Sequence, residues 1–290
     1  MAKVSLLLAD VDGTLVDSKK VVTPRALAAI QKLHERGIQF AVTSGRPPRG
    51  MKMITEAIPM TAPVAAFNGG MIVKPNDMSQ VIENHTLDGE VARQVMARLD
   101  SAKLDVWVYG GLNWYLRNMN APHVDKEART VQFAATVVSD FSQALREGVS
   151  KIVGVSDDLD LVARAEHDIQ AEFAATVGTQ QSSPNRERHR APAEPSVSAA
   201  RSQPYYLDVT HPLANKGAAA EALSRLLNVP LAAMATIGDQ PNDMLMFRKS
   251  GVSIAMGQSI DEVKRAATHV SPGDLDHEGF ARALEEFLLA

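Results

Sequence analysis

The stretch Val4-Ser5-Leu6-Leu7-Leu8-Ala9-Asp10-Val11-Asp12-Gly13-Thr14-Leu15 is an apolar run that stops abruptly at two aspartates and a glycine. Apolar side chains at successive positions, without polar alternation, predict a strand buried on both faces, as inside a parallel sheet. Residues 38–42, 64–67, 234–237 and 252–255 have the same texture, each bounded by glycine, proline or aspartate. Helical patterns lie between them. Thr23 stands as an N-cap, Pro24 takes the first helical position, Leu27, Ile30 and Leu33 share a face, and Gly37 follows the end. Residues 216–227 and 242–249 read the same way. Strand and helix alternating at both ends of the chain predict an α/β fold with a doubly wound parallel sheet, whose ligands bind beyond the carboxyl ends of the strands.

The chain has 290 residues, nearly twice the ~150 of a single-domain prior, so a core plus a second unit is expected. Apolar residues make up 45% and charged residues 22%, which excludes wholesale disorder. A net charge of -4 argues against a protein that coats nucleic acid or an anionic membrane. With no cysteine there is no thiolate chemistry, zinc finger or disulfide, and a metal would need oxygen or histidine ligands. The apolar run at residues 4–9 is too short for a signal peptide or a membrane span, so a cytoplasmic location is expected.

The middle of the chain differs. Residues 106–109 and 114–116, separated by Gly110, Gly111 and Asn113, predict a hairpin without parallel crossovers. With helical patterns at 88–101 and 158–170 and a strand at 151–155, residues 84–206 are expected to form an inserted α+β domain, leaving 1–83 and 207–290 as the core. Trp107, Tyr109, Trp114 and Tyr115 are read as packing, Tyr205 and Tyr206 as strand packing, and Arg117 and His123 as surface or satisfied polar groups. Residues 179–203 contain three prolines and no aromatic residue, which predicts a mobile loop. Its arginines 186, 188 and 190 are interleaved with acidic residues and lack stacking partners, so nucleic-acid binding is not expected there.

Asp10 and Asp12 alone would mean little, because aspartate–glycine is an ordinary turn signal. A calcium loop is excluded, since Gly13 falls at the fourth position rather than the sixth. A second pair, however, follows another apolar run in Ile237-Gly238-Asp239-Gln240-Pro241-Asn242-Asp243. Loops meeting at one sheet edge would gather carboxylates that repel unless a cation neutralises them, and oxygen ligands suit magnesium. Thr43-Ser44-Gly45-Arg46-Pro47 offers a hydroxyl, open amides and a guanidinium to a phosphate. Lys216 begins a helix, where a cation opposes the dipole and a nearby anion would explain it.

Together, Asp10-Val11-Asp12-Gly13-Thr14, Ser44-Gly45-Arg46, Lys216 and Gly238-Asp239-Gln240-Pro241-Asn242-Asp243 resemble, in order, the four motifs of the haloacid dehalogenase superfamily of phosphohydrolases. The resemblance is to the Cof-like branch, which has a Rossmann-like core and a large α/β cap, and Asn68-Gly69-Gly70 resembles that branch's asparagine–glycine turn. It implies that Asp10 is the nucleophile, forming an aspartyl-phosphate, and that Asp12 is the acid and base. It implies Mg2+ held by Asp10, Asp239 and the backbone of Asp12, with Asp243 and the Gln240 backbone supporting the site. The phosphate would be held by Ser44, Lys216, Asn242 and the amides of Val11 and Gly45, with Arg46 contributing its charge. Gln240 stands where the family commonly has serine, a change that a main-chain contact tolerates.

The implied activity is hydrolysis of small phosphorylated metabolites, sugar phosphates first and flavin (FMN) or pyridoxal phosphates behind. A phosphomutase or phosphotransferase using the same aspartyl-phosphate is the alternative, and a phospho-ligand sensor the third reading. Retention of both Asp10 and Asp12 counts against the sensor, because binding alone needs no acid. Oligomeric state does not follow from these residues.

Overall fold

The computed structural model describes residues 3–174 and 195–290, which divide into two compact units: residues 1–84 with 213–290, and residues 85–212. The first unit is built on an eight-stranded sheet in the order His269–Val270, Val252–Ala255, Met234–Gly238, Leu6–Asp10, Gln39–Thr43, Val64–Ala66, Met71–Lys74 and Asp77–Asn84. The first six run parallel, and the last two add as an antiparallel hairpin. The strand Leu6–Asp10 is wholly buried between Gln39–Thr43 and Met234–Gly238, as its unbroken apolar run requires. Because the chain winds one way to Val64–Ala66 and the other way from Met234–Gly238, the winding reverses beside Asp10. That reversal opens a crevice at the carboxyl edge.

Local chemistry sets the elements around this edge. The helix Pro24–Glu35 starts where Thr23 Oγ1 accepts from the Ala26 amide and ends before Gly37, whose φ of 76° suits only glycine comfortably. The helix Lys216–Leu227 is capped by Asn215 Oδ1, which accepts from the Ala218 amide at 2.9 Å. Residues 242–249, expected as one helix, instead form the 3₁₀ turn Pro241–Asp243 and the short helix Met244–Phe247. Asp243 causes the break, because its carboxylate is spent on the turn that carries the site.

The second unit has a six-stranded sheet in the order Ser198–Gln203, Tyr206–Thr210, Val149–Val155, Asp105–Gly110, Asn113–Leu116 and Thr136–Val137. Val106, Val108, Tyr115, Ile152, Leu207 and Val209 pack with the helices Gly89–Ser101 and Leu159–Phe173. Trp107, Tyr109 and Trp114 are equally buried and pack on one another, with the Trp107 and Trp114 rings 5.2 Å apart edge to face. The hairpin and the packing of all four aromatic side chains are as the sequence predicts. Arg117 pairs with Asp100, and His123 Nε2 lies 2.9 Å from Asp157 Oδ1, so both polar groups are satisfied.

Three expectations for this unit are corrected. Tyr206–Thr210 belongs to the second sheet, antiparallel to Val149–Val155, so the return to the first unit falls near residue 213 rather than 207. Asn113–Leu116 pairs in parallel with Thr136–Val137 across the helix Val124–Val131, a crossover the hairpin signal did not reveal. Ser198–Gln203, inside the stretch expected as a loop, is an edge strand paired with Tyr206–Thr210, because backbone pairing needs no apolar side chains. The part of that stretch up to residue 194 lies outside the described residues.

Candidate active site

Parallel register brings the site together. Asp10 lies opposite Thr43 in the neighbouring strand, and Ala9 lies opposite Ile237, so the loops after all three strands emerge at one edge. Two glycines let them approach. A Cβ on Gly13, already at φ 86°, would fall 2.4 Å from Asp239 Oδ2, and one on Gly238 would fall 2.3 Å from Asp243 Cγ. A side chain at either position would push the facing carboxylate out of place.

Lys216 is the centre of the charge arrangement. Its ammonium, on a residue only 2% exposed, donates to Asp10 Oδ1 at 2.6 Å and to Asp243 Oδ1 at 2.5 Å. Asp243 Oδ2 accepts from the amides of Asp239 and Gln240 at 2.9 and 2.8 Å, which fixes the turn. Asp239 accepts from Thr14 Oγ1 at 3.2 Å and from Gln240 Nε2 at 2.7 Å. One oxygen each from Asp10, Asp239 and Asp243 lie within 4.8 Å of one another.

Three buried carboxylates thus face one ammonium. Burial, reinforced by the charges of Asp243 and Asp239, outweighs Lys216 and pushes the Asp10 carboxyl up to about 8. Burial, then Asp243, likewise raises Asp239. Burial would discharge Lys216, but the charges of Asp10 and Asp243 hold its ammonium above the usual lysine range. The cluster therefore lacks positive charge, and a small divalent cation with oxygen ligands is what it fits. Asp10, Asp239 and Asp243 could each offer it an oxygen, Asp243 being the most committed, with Lys216 on Oδ1 and two backbone amides on Oδ2. Asp12 is not part of this carboxylate group, and Gln240 reaches it through its backbone amide on Asp243 Oδ2 and its side-chain amide on Asp239 Oδ2.

The remaining predicted residues divide between the site edge and elsewhere. Ser44 is buried, with its Oγ accepting from the Arg46 amide at 3.2 Å, while Val11 is buried and Gly45 follows Ser44 at the strand end. Asn242 is exposed on the Pro241–Asp243 turn. Arg46 does not project freely as a phosphate ligand. Its Nε and Nη2 donate to Asp12 Oδ2 and Oδ1 at 2.8 and 2.7 Å, and its Nη1 donates to the Gly50 carbonyl at 3.3 Å. Lys20 also donates to Asp12 Oδ1, at 2.8 Å. Burial would raise the Asp12 carboxyl, but the hydrogen bonds and charge of Arg46, then of Lys20, hold it below the usual carboxylate range.

Two neighbours, Lys20 and Gln258, escape sequence reading, as does Phe67 in a turn that the sequence signals only in part. Lys20 gave no signal, because its approach to Asp12 depends on a turn with φ 64°. Gln258 bridges distant loops, donating to the Gly13 carbonyl at 2.6 Å and accepting from the Leu275 amide at 3.1 Å. Phe67, Asn68 and Gly69 form a left-handed turn at φ 49°, 57° and 100°, tied to the Ser44 loop by Phe67 N to Arg46 O and Asn68 N to Ser44 O. The Asn-Gly pair signals part of that turn, whereas a phenylalanine at positive φ has no sequence cue.

This geometry matches a known family. Residues 7–284 match the haloacid dehalogenase-like hydrolase family, and the chain belongs to it. Among curated relatives, the chain is 24% identical over 284 residues to a 5-amino-6-(5-phospho-D-ribitylamino)uracil phosphatase of Bacillus subtilis, covering 97% of each chain. It is 25% identical over 262 residues to an HMP-PP phosphatase of Cronobacter sakazakii, covering 90% of this chain and 87% of that one. In fold it is similar to a haloacid dehalogenase-like hydrolase from Bacteroides thetaiotaomicron, with a TM-score of 0.83, 24% identity and coverage of 98% and 99%. No helix of the described residues is long and apolar enough to cross a membrane.

Proposed function

We propose that this protein is a Mg2+-dependent phosphatase that hydrolyses small phosphorylated metabolites, sugar phosphates first, through an aspartyl-phosphate on Asp10. The observation that carries the reading is the buried group of Asp10, Asp239 and Asp243 around Lys216 at the ends of adjacent parallel strands. The ribityl phosphate named for the Bacillus relative supports a phosphorylated polyhydroxylated substrate.

Lys216 holds Asp10 through Oδ1, while Oδ2 has no hydrogen-bond partner among the described residues and is the oxygen that attacks phosphorus. The new bond joins that oxygen to phosphorus as the bond to the substrate oxygen breaks, and the departing alkoxide takes a proton from Asp12, which must first take one up from solvent against the pull of Arg46 and Lys20. Water then displaces the Asp10 oxygen, with Asp12 taking its proton. Asp10, Asp239 and the Asp12 carbonyl would hold Mg2+, which would supply the positive charge that lets two anions meet. Ser44, Lys216, Asn242 and the amides of Val11 and Gly45 orient the phosphoryl oxygens, and Asp243 keeps Lys216 in place.

Phosphate release from a panel of phosphorylated sugars, nucleotides and cofactors, with Mg2+ and with chelator, tests the proposal. Release that needs both Mg2+ and Asp10, and disappears in Asp10→Asn, is expected. An isomerised sugar phosphate in place of free phosphate would establish transfer, and stoichiometric binding without turnover would establish a sensor.

A further inference from the structure

Arg46 is 5% exposed, and each of its three guanidinium nitrogens already has a partner. Two nitrogens grip both oxygens of Asp12 in parallel, and the third meets the Gly50 carbonyl at 3.3 Å and the Met53 Sδ at 3.5 Å, so four of the five N–H donors are engaged within the protein. The backbone of Arg46 is fixed as well. Its amide donates to Ser44 Oγ, and its carbonyl accepts from the Phe67 amide at 2.9 Å. Asp12, by contrast, sits on a turn with a third of its side chain exposed. Its only other side-chain partner among the described residues is Lys20, whose side chain is 52% exposed and makes one contact. A flexible exposed lysine sets no direction, whereas a planar two-point grip sets both the position and the plane of a carboxylate.

We infer that Arg46 is a positioning residue that aims the Asp12 carboxylate at the leaving-group oxygen, rather than a ligand of the phosphoryl group. The inference rests on the role proposed for Asp12. Its consequence is selective: Arg46 matters in proportion to how much the leaving group needs a proton. An alkyl phosphate needs it strongly, whereas 4-nitrophenyl phosphate, with its stable phenolate, needs it little.

The test measures kcat/KM of wild type, Arg46→Ala, Arg46→Lys, Asp12→Asn and Arg46→Ala/Asp12→Asn with Mg2+, on an alkyl sugar phosphate and on 4-nitrophenyl phosphate. Inhibition by inorganic phosphate is read beside it. Since general-acid catalysis contributes about 10²–10⁴-fold, Arg46→Ala is expected to raise the aryl-to-alkyl ratio of kcat/KM by at least about tenfold. The double variant is expected to lose about as much on the alkyl ester as Asp12→Asn alone, and the phosphate inhibition constant is expected to move less than about threefold. Arg46→Lys keeps the charge without the two-point grip and is expected to show the same ratio change, which guards against misfolding of the alanine variant. Equal losses on both esters with phosphate inhibition weakened about tenfold would show that Arg46 binds the phosphoryl group and overturn the inference. Equal losses with unchanged phosphate inhibition and a lowered melting temperature would reduce Arg46 to scaffolding and overturn it too. A wild type inactive on both esters would instead refute the phosphatase reading, and the inference with it.

Discussion

Replacing Asp10 by asparagine is expected to stabilise the metal-free protein, increasingly so as pH rises. The replacement keeps the shape of the side chain and removes a charge that sits within 4.8 Å of two other carboxylates. At an effective dielectric of 20, each such neighbour repels by about 3.5 kcal/mol, while Lys216 at 2.6 Å attracts by about 6 kcal/mol. The Coulomb contributions nearly cancel, so burial decides, and it favours the neutral form. The Asp10 carboxyl is pushed up to about 8 in the folded protein from an ordinary value of 3.8. A carboxyl raised on folding binds its proton more tightly in the native state, so native stability falls as pH rises from about 4 to about 8 and levels off above. At about 1.4 kcal/mol per pH unit, wild type is expected to lose about 2 kcal/mol relative to Asp10→Asn between pH 6 and pH 8 in chelator. Urea unfolding of the two proteins at both pH values reads this directly, and saturating Mg2+ at pH 8 should restore the advantage of wild type. Parallel behaviour of the two proteins across that range in chelator would refute the charge account of the site.

Lys216→Met should destabilise the protein by about 3–5 kcal/mol at pH 8 in chelator, because three buried carboxylates lose their one ammonium; thermal unfolding checks it, and a loss below about 1 kcal/mol would contradict the arrangement. Gly13→Ala should weaken Mg2+ binding by at least about tenfold in calorimetry, since its Cβ would fall on the Asp239 carboxylate and its φ of 86° is left-handed; unaltered binding would show that the loop yields freely. Deleting residues 198–203 should lower the melting temperature by several degrees, because it strips the edge strand from Tyr206–Thr210; an unchanged melting temperature would deny that strand its structural part.

The unbroken apolar run before Asp10 was enough to specify a strand buried on both faces, and its repetition after helical segments specified a doubly wound sheet, because periodicity and capping are properties of neighbours in the chain. The motif residues were legible for the same reason: strand ends carry the chemistry in such a sheet, and Asp10, Ser44 and Asp239 each follow an apolar run. What each side chain faces is a different kind of fact. Arg46 lies 34 residues from Asp12, and Asp243 lies 27 from Lys216, so their pairing depends on register and on glycines that let loops close, not on any local pattern. The edge strand Ser198–Gln203 was hidden similarly, since a polar strand is made by the partner it pairs with. Composition and periodicity thus determined the buried core strands and the strand ends at which the carboxylates stand. Tertiary packing alone decided that Arg46 is spent on Asp12 and that Asp10 is short of a cation, because both follow from distances between segments remote in sequence.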